Sequence, residues 1–194
     1  MTSNFFILRL TADDEMKLRI VHGVVPGIDE ATVESICNNA GISRRTFYNH
    51  FPSKYDLNPW YKRFVSDNTV AKIGLDYSWE EGFRRFFSLT SEEKEPIMRN
   101  TSPHLNGDPA SFEAAIESLN WRKSRIQQLN DSLEKRGYNP EEKAMAYCVD
   151  MYTKIESHAT RSWLVDPVDG DPELHAQYLA SCVPRLLYKA LSMS

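Results

Sequence analysis

Thr32–Lys54 reads TVESICNNAGISRRTFYNHFPSK. Thr32 is a hydroxyl residue suited to capping free backbone N–H groups. Val33, Ile36, Cys37 and Ala40 follow at spacings of three and four, so they share one helical face. Gly41 stops that helix, because glycine takes a left-handed turn without steric cost. Ser43 is a second N-cap. Arg44 to His50 then forms a helix of under two turns, with Phe47 inward and Arg44, Arg45, Thr46, Tyr48 and Asn49 outward. Two short helices joined this way form a helix-turn-helix, whose second helix enters the DNA major groove.

Working outward, Thr11 caps a first helix with Asp13, Asp14 and Glu15 in its first turn, where the helix dipole favours acids. Leu18, Val21 and Val25 lie on its apolar face, and Pro26-Gly27 is expected to end it. Residues 1–10 form an arm in which Arg9 is a candidate backbone or minor-groove contact. Ser53 opens a fourth helix, with Asp56 placed for a capping box. Asn58-Pro59 interrupts it. Either the helix kinks there, or Asn58 caps a fresh start with Pro59 at its first position. A break at this point is a candidate hinge.

The motif T-V-x-x-I-x-x-x-A-G-I-S-x-x-T-F-Y-N-H-F-P-S-K-x-D-L resembles the signature of the TetR family of one-component transcriptional regulators. The similarity is close from about Gly27 to Leu57. The resemblance implies an all-α fold: a three-helix DNA-binding head at 1–57 and a helical effector-binding and dimerisation domain at 58–194. It implies a homodimer on double-stranded operator DNA, a repressor's role, and release by a small-molecule effector. By resemblance, Tyr48 and His50 are backbone contacts, and Thr32 and Lys54 clamp phosphate at helix starts. The residue chemistry adds that Arg44 and Arg45 can each pair with guanine, an interaction that discriminates bases by about 1–3 kcal/mol. Ser43 and Thr46 complete the set, and Asn49 can read adenine or bind phosphate.

Composition fits a protein that touches phosphate at one end. Net charge is −4, yet residues 43–63 hold five basic side chains against one acid. Cys37, Cys148 and Cys182 are far apart and lack metal spacing, so free thiols in a reducing cytosol are expected. No apolar run is long enough to cross a membrane, and a cytoplasmic protein without cofactor or metal is expected. There is no G-x-S-x-G, phosphate-cradling glycine loop, H-E-x-x-H or C-x-x-C to suggest an enzyme.

Beyond residue 60 the patterning is all helical. Helices are expected from Ser78 to about Leu89, from Ser91 to about Asn100, and from Ser111 to Arg136, where Gly137 ends the run. Others are expected from Asn139-Pro140 to about Leu164 and from Asp171-Pro172 to about Leu191, with residues 101–109 a linker. The core stripe of the penultimate helix is Met145, Cys148, Tyr152, Ile155, Ala159 and Trp163. The last two helices are apolar over more than one face, which the resemblance explains as a four-helix dimer interface. Candidate effector contacts are Trp121 and Arg125 on one helix, and Tyr147, Met151 and His158 on the next. The alternative is a TetR-like co-regulator that acts through a protein partner and has no inducer pocket.

Overall fold

The computed structural model describes residues 10–100, 112–165 and 170–193, apart from the side chains of 98–100, 112–119 and 164–165. The expected arm, the linker at 101–109 and the loop at 166–169 lie outside these residues. The fold is all-α. Among the described residues there are ten α-helices, and the only β pairing is an isolated bridge between Ile73 and Tyr77. The chain divides into two compact units, residues 1–65 with 92–114 and residues 66–91 with 115–194.

The first unit holds α1 (Ala12–His22), α2 (Val33–Ala40), α3 (Arg44–His50), most of α4 (Leu57–Asp67) and α6 (Lys94–Asn100). Thr11 caps α1 through a capping box with Asp14. Ile20, Val21, Ile36, Phe47, Phe51, Leu57 and Tyr61 are buried together as its core. Glu93, 5% exposed, accepts hydrogen bonds from Tyr61 Oη at 2.5 Å and pairs with His22 Nε2 at 2.7 Å.

α1 stops at His22, four residues before the expected Pro26-Gly27. The cause is tertiary. A Cβ on Gly23 would sit 2.8 Å from Ile36 O and 3.1 Å from Ile20 O, so only glycine lets α1 end against α2. Asn39 Nδ2 donates to Gly23 O at 2.8 Å and holds the crossing. Gly23→Ala is expected to destabilise the protein by about 1–3 kcal/mol, the usual cost of overpacking. A chemical denaturation midpoint equal to wild type would show that the crossing yields without cost.

The start of α4 follows neither sequence alternative. Ser53 Oγ accepts from Tyr55 N at 3.2 Å, and Lys54–Asp56 forms a 3₁₀ turn instead of the expected Ser53–Asp56 capping box. The α-helix begins at Leu57, which places Pro59 in its first turn. There a missing N–H removes no intrahelical bond.

The second unit holds α5 (Trp79–Glu92) to residue 91, α7 (Phe112–Lys135) from residue 115, α8 (Lys143–Val165), α9 (Pro172–Ser181) and α10 (Arg185–Leu191). α5 runs through Ser91, the expected cap of a separate helix. α8 starts at Lys143, because Asn139 Oδ1 takes Glu141 N in a turn at 3.0 Å before the helix begins. The expected last helix is two, broken at Pro184, which has no N–H to give and an extended backbone at φ −55°, ψ 134°.

The α8 stripe also differs from expectation. Met145, Val149, Tyr152, Glu156 and Trp163 are buried, whereas Ile155 is exposed. Arg136 donates to Gly74 O at 3.2 Å and to Ser192 O at 2.7 Å, tying the end of α10 to the loop before α5.

Candidate nucleic-acid interface

The turn between α2 and α3 is built by local bonds. Thr32 Oγ1 accepts from Ser35 N at 3.0 Å, and Ser35 Oγ accepts from Thr32 N at 3.0 Å. Gly41 ends α2 at φ +65°, ψ 39°, in the left-handed region where a side chain would be strained. Ser43 Oγ accepts from Thr46 N at 3.0 Å and lies 2.8 Å from Thr46 Oγ1. Phe47, fully buried, anchors α3, with Phe51 beside it at a ring separation of 6.2 Å. One hydrophobic anchor with short caps on both sides fixes which side chains α3 turns outward.

The nine candidate contacts fall into three groups. Arg44, Arg45, Tyr48 and Asn49 are exposed on α3, and none of their side chains has a hydrogen bond or ion pair among the described residues. Thr32, Ser43 and Thr46 hold helix starts with their hydroxyl oxygens. Thr32 keeps its hydroxyl proton uncommitted, a donor at a helix N-terminus, where anions are favoured.

His50 and Lys54 form the third group and are tethered within the head. His50 Nδ1 lies 2.9 Å from Asp13 Oδ1 on α1. The same Asp13 takes Lys17 Nζ at 2.7 Å. Lys17, then His50, holds the Asp13 carboxyl below the usual carboxylate range despite some desolvation. Lys54 Nζ donates to Ile28 O at 2.6 Å, Ala31 O at 2.8 Å and Asp29 O at 3.1 Å. An ammonium has three donors, so these carbonyls occupy all of them.

Lys54 therefore caps the loop that leads into α2. Its signal in the sequence was absent, because the partners are carbonyls more than 20 residues away. Lys54→Met keeps the aliphatic stem and strands these carbonyls. It is expected to lower stability by about 1–3 kcal/mol. An unchanged melting curve, with only the salt dependence of DNA binding reduced, would show that the amine faces phosphate instead.

The chemistry of the outward face is that of a groove reader. Two guanidinium forks, an amide and a phenol project from one short helix, with donor protons for base edges and phosphate oxygens. Burial raises the thiol of Cys37 just behind it, and the Arg44 charge opposes that shift. Residues 26–58, which span this turn, match the family described as bacterial regulatory proteins, tetR family. The match spans 33 of the 194 residues and is confined to this head. Comparison with curated proteins finds no match.

The chain thus carries a tetR-type DNA-binding head. Of the candidate effector contacts on its helical body, Arg125 is 2% exposed and Trp121 is partly buried against Phe86, at a ring separation of 5.9 Å. Tyr147, 66% exposed, Met151 and His158 instead lie on an open face of α8. Trp121 and Arg125 thus lie one turn apart on α7, whereas the other three are exposed on α8. Sequence reasoning missed Glu156, which meets Arg125 at 2.7 Å in the interior. Its one available signal was a position four residues after Tyr152, on the buried face. Among the described residues no cluster of His, Cys, Asp and Glu could hold a metal ion, and no helix is long and apolar enough to cross a membrane.

Proposed function

We propose that this tetR-family protein is a cytoplasmic, operator-specific repressor that binds a palindromic site as a homodimer and is released by a small molecule. The observation that carries the reading is the uncommitted Arg44, Arg45, Tyr48 and Asn49 face of α3. Four polar side chains ordered on a helix, with no side-chain partner among the described residues, fit direct base and phosphate contact. In this reading residues 1–57 bind DNA, and residues 58–194 bind the effector and form the dimer.

The dimer is supported by exposed apolar side chains on the last three helices. Tyr147, Met151 and Ile155 recur every four residues on α8, and Tyr178 and Leu186 are exposed on α9 and α10. Exposed apolar groups on helices whose other apolar faces are buried suit a self-complementary interface. Tyr147 and Met151 therefore belong to the subunit contact, and the effector falls to the interior residues Trp121 and Arg125.

Selection of bound fragments from genomic DNA with the purified protein tests the reading. A recurrent two-fold symmetric site, bound by a particle of twice the chain mass in sedimentation, is expected. Enrichment of no sequence over random fragments would overturn it.

A further inference from the structure

We propose that the Tyr55 hydroxyl is a further contact to the DNA backbone, outside the nine candidates above, and that Lys54 is the residue that positions it. The inference rests on the DNA-binding reading and adds one contact to that surface.

Lys54 has no proton left for phosphate, since Ile28 O, Asp29 O and Ala31 O take all three. The segment before α4 presents the next side chain instead. Tyr55 is 61% exposed, more than Tyr48 on α3 at 49%. Its hydroxyl has no hydrogen bond among the described residues. The ring is nonetheless held. Lys54 Nζ lies 5.0 Å from the ring centroid, in a cation–π contact. Ser53 Oγ accepts from Tyr55 N at 3.2 Å and fixes the backbone beneath it. A ring ordered at the surface with a free hydroxyl is prepared for an outside acceptor.

The same ammonium sets where the ring stands. One of its acceptors, at 2.8 Å, is the carbonyl of Ala31, the residue before Thr32. Thr32 caps α2, and its uncommitted hydroxyl proton lies at a helix start that favours an anion. Lys54 therefore joins Tyr55 to the start of α2, the helix that a helix-turn-helix lays across the DNA backbone. Tyrosine is among the side chains that bond phosphate oxygens and so fix register without reading sequence.

Charge decides the kind of contact. In residues 27–32 and 53–57 Lys54 is the only cation, against Asp29, Glu30 and Asp56. Attraction of the phosphate thus comes from the arginines of α3, and the phenol adds a directional, uncharged hydrogen bond. Such a bond neutralises no phosphate and releases no counter-ion, so it raises affinity without steepening the salt dependence. A lysine or arginine contact would steepen it.

Tyr55→Phe keeps the ring over Lys54 and removes only the hydroxyl. Fluorescence anisotropy titrations of full-length wild type and variant test the proposal, on a random-sequence duplex and on the selected site, at several salt concentrations. The variant is expected to melt as wild type does and to bind both duplexes about three- to tenfold more weakly. Its salt slope is expected to be unchanged. Methylphosphonate substitution along the selected site is expected to reveal a position that costs the wild type affinity and the variant none. On a Lys54→Met background Tyr55→Phe is expected to cost nothing further, and a full further loss would overturn the positioning role. Equal affinity of variant and wild type would overturn the contact. So would a flattened salt slope, or a loss confined to the selected site, which would put the phenol on a base edge. A wild type that selects no sequence, yet binds the random duplex more tightly than the variant does, would leave the contact standing and overturn the operator reading. A selected site bound equally by both proteins would do the reverse.

Discussion

Glu156→Ala is expected to destabilise the protein by about 3–5 kcal/mol, the range seen when one member of a buried ion pair is removed. The loss comes mainly from what remains. Arg125 would keep a full charge at 2% exposure, with Nε newly unpaired and Nη2 already so. Urea denaturation of the single variants and of the double Arg125→Met/Glu156→Leu variant separates charge stranding from packing. The double variant is expected to fall much nearer to wild type, because it removes both desolvated charges and keeps the volume. A single-variant loss below about 1 kcal/mol would mean that the pair is hydrated.

The pH dependence has a defined sign. Burial raises the Glu156 carboxyl above its ordinary 4.5, with Arg125 pulling it back. A group with a raised folded value contributes most below its unfolded value and loses that contribution as pH rises through the folded one. The gap between wild type and Glu156→Ala is therefore expected to widen on acidification. Denaturation in mildly acidic and mildly basic buffer would show it, and a constant gap would argue against a raised value.

Arg44→Ala and Arg45→Ala are expected to weaken operator binding by about 1–3 kcal/mol for each lost base contact. Every 1.4 kcal/mol is a tenfold change in affinity. Their effect on non-specific DNA should be smaller, since phosphate attraction survives in the remaining basic residues. Both arginines are exposed and have no side-chain partner among the described residues, so their removal strands none of these. The melting temperature should accordingly hold. Equal loss on operator and random duplex, measured at one salt concentration, would show that both arginines lie on the backbone.

His50 offers the contrast. Its Nδ1 is held by Asp13, so His50→Ala removes a tie between α1 and α3 as well as any DNA contact. Stability and affinity should fall together there, unlike at Arg44 or Arg45.

The turn at Thr32–Lys54 was legible because each decision in it is local. Thr32 meets Ser35, and Ser43 meets Thr46, three residues on. Gly41 needs only its own backbone to reverse the chain, and Phe47 needs only to be the apolar residue of its turn. Interactions over three or four residues are written into spacing, so the sequence by itself determined the helix-turn-helix and the outward set on α3.

Tertiary structure alone decided what depends on where helices cross. Gly23 is required by the carbonyl of Ile36, a residue in the next helix. Lys54 is spent on the loop at 28–31, His50 on Asp13, and Arg125 on Glu156, partners 23 to 37 residues away that no periodicity marks. The split of the last helix stood in the sequence as Pro184, but a broad apolar arc masked it until the backbone broke there. Local capping sets where α1, α2 and α3 begin. The low-dielectric interior then sets which charges must find each other, and that choice falls to packing.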